Sequence, residues 1–191
     1  MMSRGWRRIF LALLTVACVA VCMAAGQASA GEAMERAMSG QPPVIVLCDE
    51  KEPGQTLNFM GRVLDYEGRP LPKASVVAYH TDHQGLYNPP DSDTRVPRIR
   101  GVAVTDAKGR FQFHTIRPAA YPEGTQPAHI HLAVTAPAHH VKWMEIWFDD
   151  DPLVTEPLRR QAASGTSTVI VKPRKEGGAW SFSQDIRLEG S

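Results

Sequence analysis

The sequence has little cysteine, few aromatic residues, no surplus of either charge and, beyond its first thirty residues, no long apolar run. Its three cysteines are Cys18, Cys22 and Cys48, too few for a disulfide scaffold. A chain without its first thirty residues keeps Cys48 alone and cannot close an internal disulfide; beside Val46 and Leu47 that thiol reads as a small core residue. Lys and Arg number 21 against 20 Asp and Glu, a net charge of +1, which excludes a bulk electrostatic footprint for DNA or RNA. What is abundant is turn-forming residues. Fifteen glycines and fifteen prolines in 191 residues argue for many short elements and against a helical bundle, in a chain of the length of one domain.

The first thirty residues read as an address. Arg4, Arg7 and Arg8 open them, Ile9 to Ala25 is apolar except for Thr15, and Ala28-Ser29-Ala30 is a small-x-small site. This pattern predicts a signal peptide (1–30) cut after Ala30, and so a secreted or periplasmic protein; contact with a membrane is expected only if the segment stays uncleaved. Removing three arginines from a net charge of +1 leaves the remainder at −2. Residues 31–41 are polar and close on Pro42-Pro43, which predicts a short flexible tether before a domain at 42–191.

From residue 44 the periodicity is that of strands. Candidates are Val44–Leu47, Leu57–Leu64, Ser75–Tyr79, Val102–Thr105, Phe111–His114, Ile130–Val134, Trp143–Phe148, Thr168–Val171 and Trp180–Ile186, rich in β-branched and aromatic residues. Asp106-Ala107-Lys108-Gly109 reads as a hairpin turn with Gly109 at positive φ. The expected fold is all-β, a single antiparallel β-sandwich with long site-bearing loops. Two irregular segments, 81–101 and 116–128, are the places where a site is expected.

His129 and His131 stand two apart at the start of a strand, so both imidazoles project from one face while Ile130 and Leu132 point to the core. Two ligands to one metal ion fit that spacing; two hydrogen-bonded structural histidines fit it as well. Tyr121-Pro122 lies eight residues earlier at the end of an irregular segment, and Gly85-Leu86-Tyr87 closes the start of the other.

The order of segments is specific where each alone is weak. Val76-Val77-Ala78-Tyr79 through Gly85-Leu86-Tyr87, Val104 to Phe111, Thr115-Ile116-Arg117-Pro118 with Tyr121-Pro122, Pro127-Ala128-His129-Ile130-His131 and Phe148-Asp149-Asp150-Asp151-Pro152 together resemble the intradiol ring-cleavage dioxygenases. The resemblance implies a mononuclear ferric ion, Fe(III), held by Tyr87, Tyr121, His129 and His131. Ligand chemistry agrees, because phenols ionise near pH 10 and need a strongly acidic partner to do so at neutral pH. It further implies a small aromatic diol and O2 as substrates, with Tyr121 as the displaceable ligand and base, and leaves a homo-oligomer open. Members of that family carry an arginine three residues before the first ligand histidine. Here Gln126 stands there and brings a hydrogen-bond donor without charge.

Arg98, Arg100 and Arg117 are candidate substitutes for that cation. Two other readings stand beside the enzyme: a non-catalytic secreted β-sandwich that binds a ligand or partner, which Gln126 favours, and a His-x-His copper or zinc protein. His80 and His83 read as turn or surface residues, and Trp143 and Trp147, which share a strand face, as core packing.

Overall fold

Alternation builds the two layers. On strand β3 (Ser75–His80) Val76, Ala78 and His80 are buried; on β5 (Arg110–Ile116) Phe111, Phe113 and Thr115 are; on β6 (His129–Thr135) Ile130, Leu132 and Val134 have no exposed surface. The computed structural model describes residues 44–165 and 167–191; the expected signal peptide and tether lie outside the described residues. The remaining elements are β1 (Val44–Val46), β2 (Thr56–Asp65), β4 (Arg100–Val104), β7 (Lys142–Phe148), α1 (Glu156–Ser164), β8 (Thr168–Val171), β9 (Arg174–Glu176), β10 (Ala179–Ser183) and β11 (Ile186–Leu188).

One sheet runs β1-β5-β2-β10-β9, with β11 also on β2, and the other runs β4-β3-β6-β7-β8. Leu57, Phe59, Phe111, Phe113 and Phe182 of the first sheet pack on Val76, Ile130, Leu132, Ile146 and Phe148 of the second. Phe59 stacks between Phe113 (centroids 4.8 Å apart) and Phe182 (5.3 Å). Each such side chain contributes on the order of 2–3 kcal/mol by leaving water.

The fold is all-β as expected, but not purely antiparallel. Pairs β1/β5, β2/β10, β2/β11 and β7/β8 are parallel. Parallel pairing needs long connections, and these strands are joined to their partners through other elements rather than hairpins. The expected strand Trp180–Ile186 is two strands, because at Asp185 a carboxylate, not a backbone carbonyl, receives the Arg62 N–H (3.2 Å) and guanidinium. Helix α1 went unforeseen; it is nine residues long and polar on average, with only Ala162 buried. Gly109 has φ +72° at the expected turn.

Candidate metal centre

Strand β6 supplies two side chains and the two long loops supply two more. Because Ile130 and Leu132 anchor β6 in the core, His129 and His131 share the opposite face, their rings edge to face at 4.6 Å. Pro127 O accepts from His129 Nδ1 at 2.7 Å. That bond places the proton on Nδ1 and leaves Nε2 with a bare lone pair.

The β3–β4 loop brings Tyr87. Asp82 folds the loop's start: its Oδ1 accepts from Gln84 N (2.9 Å) and Leu86 N (3.0 Å), and its Oδ2 accepts from Arg98 Nη2 (3.0 Å). Burial works against the charge on Asp82, yet these donors outweigh it and hold the carboxyl below the usual range. Arg98 also pairs with Glu52, and its N–H donates to Tyr87 O at 3.2 Å. The β5–β6 loop brings Tyr121. It lies against the first loop through Ala119 N to Asp82 O (3.0 Å) and Thr81 Oγ1 to Ala119 O (2.7 Å). Gly85, at φ +83°, sits where a Cβ would meet Ala120 O at 2.0 Å, so the loops approach this closely only without a side chain there.

Four donor atoms then close a ring. Tyr87 Oη lies 2.7 Å from Tyr121 Oη, Tyr121 Oη 3.2 Å from His129 Nε2, His129 Nε2 3.0 Å from His131 Nε2, and His131 Nε2 2.9 Å from Tyr87 Oη. Neighbouring ligands on an ion with bonds of about 2.0–2.1 Å stand about 3 Å apart, as these do. The contact between the two Nε2 atoms is the telling one. His129 Nδ1 donates to Pro127 O, which leaves its Nε2 an acceptor; His131 Nε2 lies 3.0 Å from that atom, and its own Nδ1 faces the Glu145 carboxylate at 3.6 Å. A cation shared by the two Nε2 atoms would bond to both. The donor set fits a metal ion.

Electrostatics follow burial. Desolvation, with the charge of His129, holds His131 below the usual histidine range against the pull of Glu145. Desolvation and the hydrogen bond to Tyr121 push Tyr87 far above the usual phenol range, so its ionisation calls for a strong positive charge at the ring.

Residues 32–190 match a family model described as "Dioxygenase". Among curated proteins the chain is 34% identical over 122 residues to catechol 1,2-dioxygenase 2 of Acinetobacter lwoffii, covering 56% of this chain and 44% of that one. It is 29% identical over 156 residues to chlorocatechol 1,2-dioxygenase of Rhodococcus opacus, covering 71% and 58%. Among solved structures, the dioxygenase domain of a dioxygenase–carbohydrate-binding fusion from Streptomyces sp. SirexAA-E superposes with a TM-score of 0.62 at 25% identity, over 78% of this chain and 90% of that one. The chain belongs to the intradiol ring-cleavage dioxygenase family. It spans about half the length of the curated catechol dioxygenases that it matches.

All four residues expected as ligands in this member of the family meet at one point. Gln126 lies beside them, its Nε2 donating to Glu145 Oε2 at 3.4 Å. Two of the three substitute cations are engaged elsewhere. Arg98 is held by Glu52 and Asp82; Arg117 pairs with Asp150 and lies 4.8 Å over Phe148 and Trp180; Arg100 is exposed on β4, opposite Tyr79.

Two expectations about flanking residues need correction. His80 is fully buried, not at the surface: Nδ1 donates to Thr81 O (2.7 Å), Nε2 accepts from Thr115 Oγ1 (2.8 Å), and burial lowers its pKa to about 4. Trp143 and Trp147 do share a face, but it is the one turned from the core, since Met144, Ile146 and Phe148 fill the inner face. Trp143 is 65% exposed there, while Trp147 is buried beside the site. Sequence reasoning also missed Tyr79, stacked on His131 (4.6 Å, 18°), and Glu145. Both are the register partners of His131 on the neighbouring strands, a relation that only the pairing reveals.

Proposed function

We propose that this protein is an exported non-haem Fe(III) dioxygenase that cleaves a catechol-type ring with O2 between its two hydroxylated carbons, giving a muconate-type diacid. The closed ring of two phenol oxygens and two imidazole nitrogens, with its 3.0 Å contact between Nε2 atoms, carries the reading. Family membership supports the reaction class, and Arg4 to Ala30 supports export. Convergence of Tyr87 and Tyr121 on the histidines weighs against a copper or zinc site built on His-x-His alone.

Tyr87, Tyr121, His129 and His131 would hold the iron, whose charge, when bound, keeps phenol and catechol oxygens ionised at neutral pH and prepares the ring for O2. The rest is done by the protein. Tyr87 is fixed by the Asp82–Arg98 clamp and by the Arg98 N–H on its carbonyl, so it holds station. Tyr121 sits on the second loop and, by its likeness to the family's displaceable ligand, would be the donor that gives way; its Oη would receive the proton that an entering catechol hydroxyl gives up. Tyr79 packs on the His131 ring and keeps its plane fixed. Gln126 offers no cation to the substrate ring, so turnover of catechol is slower than with arginine in its place.

The test is metal analysis and a visible spectrum of protein expressed with iron, with oxygen uptake on catechol, protocatechuate and hydroxyquinol. Iron near one per chain, a red-brown band that shifts on adding catechol, and oxygen uptake are expected. Tyr121→Phe alters the band. Colourless, iron-free protein would overturn the reading, and an unchanged Tyr121→Phe spectrum would remove Tyr121 from the donor set.

A further inference from the structure

Glu145 is not one of the four ring atoms, yet it is a held carboxylate beside them. It stands on β7 directly opposite His131, on the same outward face. Its Oε2 accepts from the Trp147 indole Nε1 at 2.9 Å and from Gln126 Nε2 at 3.4 Å. With Oε2 occupied by those donors, Oε1 is left facing His131 Nδ1 at 3.6 Å, a few tenths of an ångström beyond a hydrogen bond. On the other side Tyr79 lies flat on the His131 ring. The two histidines therefore face different groups at Nδ1: His129 a neutral carbonyl at 2.7 Å, His131 a carboxylate at 3.6 Å.

We infer that Glu145 is the positioning residue of His131, that its negative charge makes His131 the stronger donor of the two histidines, and that Gln126 and Trp147 serve to hold that carboxylate. The inference rests on the metal-centre reading above. A carboxylate at Nδ1 keeps the proton there, turns the Nε2 lone pair toward the ring of donors and raises its basicity. Gln126 acquires a role of its own in this arrangement. One of its two amide N–H groups braces Glu145, where a cation in its place would be drawn into an ion pair with the same carboxylate.

The experiment compares wild type with Glu145→Gln, Glu145→Ala and Trp147→Phe, each first checked for wild-type circular dichroism. Three readouts are used: release of ferric iron to a competing chelator, the position of the phenolate-to-iron visible band, and the His131 tautomer by nitrogen NMR in metal-free protein. Glu145→Ala is expected to lose iron about 10–100-fold more readily. Its band moves to longer wavelength, because a poorer nitrogen donor leaves the ion more electron-hungry, and His131 becomes a mixture of tautomers. Glu145→Gln recovers part of the tautomer preference but not the charge effect on the band, and Trp147→Phe shows a smaller loss in the same direction. Wild-type iron retention, band and tautomer in Glu145→Ala would overturn the inference. If wild type itself takes up no iron, the metal-centre reading fails instead, and the metal-free tautomer still reports on Glu145: a His131 proton fixed at Nδ1 in wild type and released in Glu145→Ala supports its positioning role, and no difference overturns it.

Discussion

Gly85→Ala tests whether the close approach of two loops is what assembles the centre. Gly85 has φ +83°, a region that costs an L-residue about 1–2 kcal/mol. A Cβ built there lies 2.0 Å from Ala120 O and 3.0 Å from Ala120 C, which is about 1 Å or more inside van der Waals contact. The obstacle is backbone, so no side chain can swing aside; one loop has to retreat. Overpacking of this kind adds about 1–3 kcal/mol, for a total near 2–5 kcal/mol. Retreat also parts Tyr87 Oη from Tyr121 Oη, now 2.7 Å apart, so the geometry of the site fails before the fold does. Gly177→Ala is the matched control: its φ is +58° and nothing lies within 4 Å, so it carries the backbone cost alone, about 1 kcal/mol, partly offset by a less flexible unfolded chain. Urea unfolding with iron stoichiometry on the same samples reads both effects. If Gly85→Ala matched Gly177→Ala in stability and kept its full iron and visible band, the loop contact would not be what builds the centre.

Two further outcomes follow from charge. His80 titrates near 4 when folded against about 6.5 unfolded, so the unfolded chain binds the extra proton between those values; stability therefore falls as pH drops from about 6.5 to 4, by about 1 kcal/mol per pH unit, and urea titrations of His80→Leu over that range lose this slope. On the substrate side, Glu145 and neutral Gln126 disfavour an anionic ring substituent, so kcat/KM for catechol exceeds that for protocatechuate by about tenfold or more; Glu145→Gln and Gln126→Arg each narrow the gap, and an undiminished preference in both would show that neither residue faces the substrate.

Much of the centre was legible because it depends on local rules. The i, i+2 spacing of His129 and His131 decides that they share a face wherever a strand runs, and Pro122 after Tyr121 and Gly85 before Tyr87 mark loops that have to be irregular. The proposed iron site calls for phenol and imidazole together, and the chain has few tyrosines to choose from. Strand positions were legible for the same reason. Pairing direction was not: whether two strands run parallel depends on the path of the chain between them, and β10 and β11 reach β2 only after the whole second sheet has been laid down.

The misreading of Trp143 and the silence of Glu145 share one cause. Alternation on β7 separates Trp143, Glu145 and Trp147 from Met144, Ile146 and Phe148, but it does not say which set faces the other sheet when both are rich in large apolar groups. Once the inner face is assigned to Met144, Ile146 and Phe148, the rest is forced. Glu145 comes onto the face of the histidines, register sets it opposite His131, and Trp147, opposite His129, has its indole N–H within reach of the carboxylate. A one-residue slip of β7 would leave His131 facing Met144 or Ile146 and no charged partner at its Nδ1. The register of β7 on β6, fixed by three core side chains on the far side of the strand, therefore decides the electrostatics of the metal centre without contributing an atom to it.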